Sequence, residues 1–323
     1  MTLKPKFDKI AADVSPAIPA PTTIISSLFI QRMFPLSKLE LSEISAKLGG
    51  LKLKKVIQIN GGCIHSCFKL EYESSKVFLK KNNRIEKLLK FEEYCLQDLN
   101  NYSDNKNLII PSPSSYTLIG NTEYLTMDWV DMKQSSQAKL GKGLANLHLF
   151  SSEINKSNFG YEIEGFIGLS PQIQGWEKEW WKAFIKLRIE PQLCSLKSHL
   201  NESFKNELKL KIKKILISHQ PQASLVHGDL WGGNIGVDNR NVGTIFDPAC
   251  WWADSEVDIA MTKLFGGFDK EFYEEYYKVI PKKAGSEERT LIYNFYHILN
   301  HANMFGGSYL DQVNSYIQKI MNI

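Results

Sequence analysis

Asp229, Asn234 and Asp247 are the residues whose types and spacing most readily do chemistry. The first two lie in the run HGDLWGGN, from His227 to Asn234, and the third opens Asp247-Pro248 thirteen residues later. A carboxylate placed first can take or orient the proton of an attacking hydroxyl, while two further side-chain oxygens can hold Mg2+ against a triphosphate. Asparagine suits the second position because its neutral carbonyl oxygen binds the ion without adding negative charge beside the phosphates. The intervening segment reads as two short strands, 235–237 and 242–246, about the polar turn 238–241. Such a hairpin brings Asp247 back to face Asn234. An Asp-Pro pair alone is ordinarily a turn, so it is the ordered set that points to phosphoryl transfer from ATP. His227 is read as structural, its imidazole bonded to the loop backbone rather than moving a proton.

The spacing H-x-D-x-x-x-x-N is that of a protein-kinase catalytic loop, and the upstream half holds matching parts for ATP. Gly61-Gly62 lies between two strand-like runs, and glycine lets backbone N–H groups approach phosphates without Cβ obstruction. Lys80 ends the run VFLK from Val77, where an ammonium would meet the α- and β-phosphates. Glu92, on the following helix, is the candidate to hold Lys80 because it shares a face with Leu88, Leu89, Leu96 and Leu99. Glu86 and Glu93 are its rivals. Along the strand 123–130, adenine would lie against Met127 and bond the backbone of Asp128, Trp129 and Val130.

Positioning these groups takes a sheet and a set of helices, and the chain is patterned for both. Periodicity through Leu39, Leu41, Ile44 and Leu48 predicts a helix over 37–48, stopped by Gly49-Gly50. Alternation predicts strands over 55–60, 66–72 and 76–80, then a helix over 84–99 and a hairpin of 115–119 with 123–130 about Gly120-Asn121. Beyond Ser135 the pattern is helical, with one β interruption at 234–247. Trp176, Trp180, Trp181 and Phe184 are spaced for one helix, in the manner of a core stripe more than a ligand box. The expected fold is α+β and two-lobed, like a protein kinase: a small β-rich N-lobe with hinge over 37–132 and a larger helical C-lobe over 133–323. Residues 1–36 read as a flexible extension broken by five prolines from Pro5 to Pro35.

Composition narrows the partners. A chain of 323 residues with 43% hydrophobic and 23% charged content suits a soluble globular protein. Its net charge of +4, from 39 Lys and Arg against 35 Asp and Glu, is too slight to argue for nucleic acid. Five cysteines without paired short spacings argue against a zinc site or a disulfide framework. The apolar stretch Ile24–Ile30 is interrupted by Ser26 and Ser27, far short of the ~20 residues of a membrane helix. A cytoplasmic protein with neither nucleic-acid nor membrane partners is expected.

Taken together, the motifs resemble the fructosamine-3-kinase (ketosamine-3-kinase) family more closely than protein kinases. The resemblance is carried by LVHGDLWGGN (Leu225–Asn234), DPACWWADSEVDIAMTKLFGGF (Asp247–Phe268), GGCI (Gly61–Ile64), LANLH (Leu144–His148) and LNHANMFG (Leu299–Gly306). It implies ATP- and Mg2+-dependent phosphorylation of the 3-hydroxyl of a ketosamine, the adduct of a sugar and an amine, followed by loss of the amine. Ribulosamine or erythrulosamine is implied ahead of fructosamine. The resemblance further implies Asp229 as base, Asn234 and Asp247 as metal ligands, Gly61, Gly62, Cys63 and Ile64 in the nucleotide loop, and Trp231 and His301 along the acceptor site. Departures are His65 and Gln174 where Asn is common, Ser255 where Arg is common, and Trp251–Ala253 in place of a Tyr-Tyr-Gly-like stretch. The bulk near Trp252 implies a reshaped acceptor pocket.

Two alternatives remain on sequence: a kinase of another small alcohol, such as an aminoglycoside or choline, and a non-catalytic nucleotide-binding protein. Release of ADP with ribuloselysine but not choline separates the first, and intact Lys80, Asp229, Asn234 and Asp247 argue against the second. Cys63 reads either as a passive small residue or, as the resemblance implies, as a redox switch able to link two monomers through a disulfide. Oxidation of a thiol beside phosphate-binding backbone would block ATP. Peroxide is therefore expected to lower activity reversibly and in a thiol-sensitive way, and equal sensitivity in Cys63→Ser contradicts the switch.

Overall fold

The computed structural model of the protein describes residues 36–59, 65–84, 87–155, 158–196 and 200–323. The expected extension up to residue 35, the loop Gly61–Ile64 with Cys63, and Glu86 lie outside the described residues.

A capping box opens the first helix, α1 (Lys38–Lys47): the Ser37 hydroxyl accepts the Glu40 N–H at 3.2 Å while the Glu40 carboxylate accepts that of Ser37. Three strands follow, β1 (Leu53–Ile59), β2 (Ser66–Tyr72) and β3 (Lys76–Asn82), then helix α2 (Leu88–Asn100). After the short β4 (Leu108–Ile109) come β5 (Pro113–Ile119) and β6 (Thr122–Asp128), completing an antiparallel sheet in the order β1-β2-β3-β6-β5. The period of two sends Val77 and Leu79 to one face, where they pack with Phe68, Leu70 and Ile44 of α1. Phe78 and Lys80 therefore take the opposite face, with Cys67 and Leu125 flanking Lys80 across the strands.

Helix α2 begins at Leu88 rather than near Arg84, because Lys87 is in the left-handed region at φ 64° and breaks a helical path. Its first donors are satisfied from the sheet: buried Glu123 accepts the N–H groups of Leu88 (3.1 Å) and Leu89 (3.3 Å) on Oε2. Asn82 Nδ2 (2.7 Å) and the Tyr116 hydroxyl (2.8 Å) also donate to this carboxylate. A negative charge at a helix N-terminus is favourable in itself.

The remainder comprises β7 (Met132–Lys133), α3 (Ala138–Ile154), β8 (Phe159–Tyr161), β9 (Gly165–Ile167), β10 (Ser170–Gln172), β11 (Gly175–Glu177) and α4 (Trp180–Phe184). A π-helical turn at Ile185–Ile189 leads into α5 (Glu190–Ser195), followed by α6 (Glu202–Leu216), β12 (Ser224–Val226), β13 (Ile235–Asp238), β14 (Gly243–Ile245) and β15 (Trp251–Ala253). Helices α7 (Glu256–Leu264), α8 (Lys270–Val279), α9 (Ser286–Phe305) and α10 (Ser308–Asn322) close the chain. Helix α3 packs on α8, and α9 lies between α7 and α10.

Two expectations are corrected here. The C-terminal part has more than one β interruption: β11-β8-β15-β12 form a second sheet and β9-β10 a separate hairpin. Strands of three residues are too short for alternation to register. The aromatic stripe is split, with Trp180 and Phe184 buried in α4 but Trp176 in β11 and 42% exposed. The result is an α+β, two-lobed, protein-kinase-like fold, with a β-sheet lobe before a largely helical one. Among the described residues no helix is long and apolar enough to cross a membrane.

Glu123 thus ties two strands and a helix start together. Replacing it with alanine strands buried donors and is expected to cost about 2–3 kcal/mol, roughly 3–5 °C in thermal midpoint for a chain of this length. Glu123→Gln should lose less, and a wild-type midpoint in Glu123→Ala contradicts the assigned role.

Candidate active site

Lys80 is only 3% exposed, and its ammonium is held from both lobes. Nζ donates to Glu92 Oε1 at 2.7 Å and to Asp247 Oδ1. Glu92 reaches it from the inward face of α2, whereas its rival Glu93 pairs with Lys90 at 2.6 Å. Burial alone would depress the lysine, but Asp247 and Glu92 hold its pKa above the usual range, so it stays charged. Burial likewise raises the Asp247 carboxyl, and the Lys80 ammonium more than reverses this, leaving it below the ordinary carboxylate value.

The loop after β12 is organised by a second buried carboxylate. Asp258 of α7 accepts the N–H groups of His227 (2.7 Å) and Gly228 (2.9 Å), and itself bonds His148 Nε2 at 3.1 Å. His227 Nδ1 accepts the Asp229 N–H at 3.3 Å, so its Nε2 donates to the Phe246 carbonyl at 2.9 Å. Burial lowers the pKa of this ring and keeps it neutral. Gly228 turns the chain at φ +80°, where a Cβ would stand 2.1 Å from the Ala249 carbonyl oxygen.

A 3-10 turn at Gly232–Asn234 then brings Asn234 beneath Asp229, and Nδ2 donates to the Asp229 carbonyl (2.9 Å) and Oδ2 (3.3 Å). The following hairpin pairs Ile235 with Ile245, its turn fixed by Asp238 Oδ1 accepting the N–H groups of Arg240 (2.8 Å) and Val242 (2.9 Å). The Phe246 N–H returns to the Asn234 carbonyl at 3.1 Å, so Asp247 emerges beside Asn234. Burial, reinforced by repulsion from Asp247, pushes the Asp229 carboxyl up to about 7.

Lys80, Glu92, Asp229, Trp231, Asn234 and Asp247 all line one cleft of about 640 Å³. Other expected residues stand elsewhere. Met127 is buried, and the methionine on the cleft wall is Met132, with Phe78 beside it. Asp128, Trp129 and Val130 are not lining residues; Trp129 donates from Nε1 to Asp131 at 2.7 Å and carries the Lys69 ammonium 4.6 Å from its ring. His301 is buried behind Phe265, with ring centroids 5.1 Å apart, and it is Phe265 that reaches the cleft. Trp252 does not reshape the pocket: it is buried against Tyr102, and Trp251 is buried under the Arg188 guanidinium. His65, Phe91, Phe166 and Phe265 line the cleft without having been singled out as site residues, although Phe265 lies within the quoted FGGF run. A separate cluster, His219, Asp254 and Glu256, is internally committed: His219 and Tyr293 bond Asp254 (both 2.7 Å), and Arg289 bonds Glu256.

The two-lobed fold and this cleft define a protein-kinase-like phosphotransferase. Comparison with known proteins narrows the class. The family model described as fructosamine kinase matches residues 38–323, and the chain belongs to that family. It is similar to a ketoamine kinase of Vibrio cholerae, named as probable (36% identity, 87% of this chain, 98% of the relative). It also resembles the chloroplastic protein-ribulosamine 3-kinase of Arabidopsis thaliana (30%, 84% of each chain). The ketosamine-3-kinase of Mus musculus is 31% identical over 82% of this chain and 94% of the relative. In fold it is similar to a crystal structure assigned as a fructosamine-3-kinase from Haemophilus somnus, with a TM-score of 0.77 at 24% identity over 87% of this chain and 96% of that one.

With Asp229 as the base, which would have to be deprotonated to work, kcat/KM would rise with pH through a midpoint near 7 and then level off. A midpoint near 4, the ordinary aspartate value, contradicts the buried, Asp247-facing setting of this carboxyl.

Proposed function

We propose that the protein transfers the γ-phosphate of ATP to the 3-hydroxyl of a ketosamine, with Asp229 as base and Asn234 and Asp247 as ligands for Mg2+. The observation that carries this reading is the convergence of Lys80, Asp229, Asn234 and Asp247, from three separate stretches of chain, on one cleft.

The donor set fits the ion. With Asn234 Nδ2 committed to Asp229, its Oδ1 is the atom left for a cation, and Asp247 adds a carboxylate: hard oxygens of the kind Mg2+ takes. When bound, Mg2+ neutralises charge on the transferring phosphates. Lys80, oriented by Glu92, would meet the α- and β-phosphates, and its contact with Asp247 shows how near that carboxylate lies. Asp229 takes the hydroxyl proton; its raised pKa matches it to a proton acceptor near neutrality, and its bonds to Asn234 hold the carboxylate in place. Adenine would enter between Phe78 and Met132 at the N-lobe side, and the sugar would lie against the Trp231 ring.

The names of the relatives support a ketosamine acceptor, and the protein-ribulosamine 3-kinase among them supports a short sugar such as ribulosamine or erythrulosamine. Phosphate on the third carbon is a good leaving group beside a ketone: loss of a C1 proton and elimination of the phosphate leave an imine at C1, and its hydrolysis by water frees the amine and releases the sugar as a dicarbonyl.

Asp229→Asn keeps shape but removes the base. It is expected to lower turnover of a ribulosamine at least about 100-fold while Mg·ATP still binds within a few-fold of wild type. Wild-type turnover in this variant contradicts the assignment. A screen of ketosamines of differing sugar length, with the phosphorylated carbon located by NMR, tests the acceptor.

A further inference from the structure

We infer that the edge-to-face corner of Trp231 and Phe265 selects the protonated amine of the acceptor by cation–π attraction, with Phe265 as the specificity-determining residue. This rests on the ketosamine reading of the same cleft.

A ketosamine carries a secondary ammonium next to its sugar, and some feature of the cleft must distinguish it from a plain ketose. The cleft-lining carboxylates among the described residues are Glu92, Asp229 and Asp247. Each has other work: Glu92 and Asp247 grip Lys80, and Asp229 faces the hydroxyl. Among the described residues no lining carboxylate is free to pair with the ammonium. Aromatic faces are abundant instead, and the pair nearest Asp229 in the chain is Trp231 with Phe265, centroids 6.3 Å apart and planes at 75°. A ring face attracts a cation through its quadrupole.

The corner is built rather than incidental. Phe265 ends α7 and is followed by Gly266 (φ 72°) and Gly267 (φ 92°), which pack backbone to backbone on Gly232. A Cβ on Gly267 would stand 2.9 Å from Gly232 Cα, and one on Gly232 would stand 2.9 Å from the Gly266 carbonyl oxygen. This contact sets the distance between the two rings. Behind Phe265 lies His301, whose Nδ1 donates to the His297 carbonyl at 2.7 Å. Burial lowers the pKa of that imidazole and keeps it uncharged, so the backing of the aromatic wall does not repel a cation.

The test compares two acceptors differing at one linking group, a charged NH2+ against a neutral ether oxygen: N-butyl ribulosamine and 1-O-butyl ribulose. Binding to protein saturated with Mg2+ and a non-hydrolysable ATP analogue is measured by calorimetry, beside KM with ATP. Phe265→Leu, at a half-buried position, should weaken the amine about 5- to 10-fold and the ether less than about twofold, while Phe265→Tyr should keep the wild-type preference. Equal losses for amine and ether, or no loss, overturn the inference and leave the kinase reading standing. Wild-type protein that binds neither compound overturns both.

Discussion

A lysine ammonium removed from water must find partners, and that need organises the whole molecule. Lys80 sits in the middle of the N-terminal sheet, answered by Glu92 from the adjacent helix and by Asp247 from beyond the hairpin of the other lobe. A buried charge of this kind is stable only while its partners remain. Removing one typically costs about 3–5 kcal/mol, because the survivor is left uncompensated. The same three groups therefore register helix against sheet, and lobe against lobe, before any nucleotide arrives.

Two further buried carboxylates repeat the strategy at shorter range. Glu123 caps α2, the helix that presents Glu92, and Asp258 gathers the backbone N–H groups of His227 and Gly228, directly ahead of Asp229. Neither lines the cleft. Each fixes the backbone from which a cleft residue projects, which is the division of labour expected when electrostatic preorganisation carries the chemistry. His227, bonded to the Phe246 carbonyl, and His148, bonded to Asp258, serve the same end by holding backbone and carboxylate in place.

What was legible in the chain was local. Asn234 and Asp247 are separated by a hairpin whose turn residues are visible in sequence, so their proximity follows from spacing. Glu92 could be chosen over Glu93 because a helical period places it among leucines. Depth was not legible. Periodicity puts His301 on an inward face of α9 but cannot say that Phe265, from another helix, would stand between it and the cleft. Nor can alternation tell that Met127 would be buried while Met132, in a two-residue strand, would reach the opening. Bulk near Trp252 implied a reshaped pocket because Trp251–Ala253 departs from the family's usual stretch, yet three residues of strand turn both tryptophans into the core of the second sheet.

Placement of the metal tests this account most directly. Crystals grown with Mn2+ and a non-hydrolysable ATP analogue would report the ion by its anomalous scattering. The account predicts a peak within bonding distance of Asn234 Oδ1 and the Asp247 carboxylate, with the Lys80 ammonium turned toward the phosphates. A peak elsewhere, for instance at His219, Asp254 and Glu256, with Asn234 and Asp247 left unligated, would contradict it.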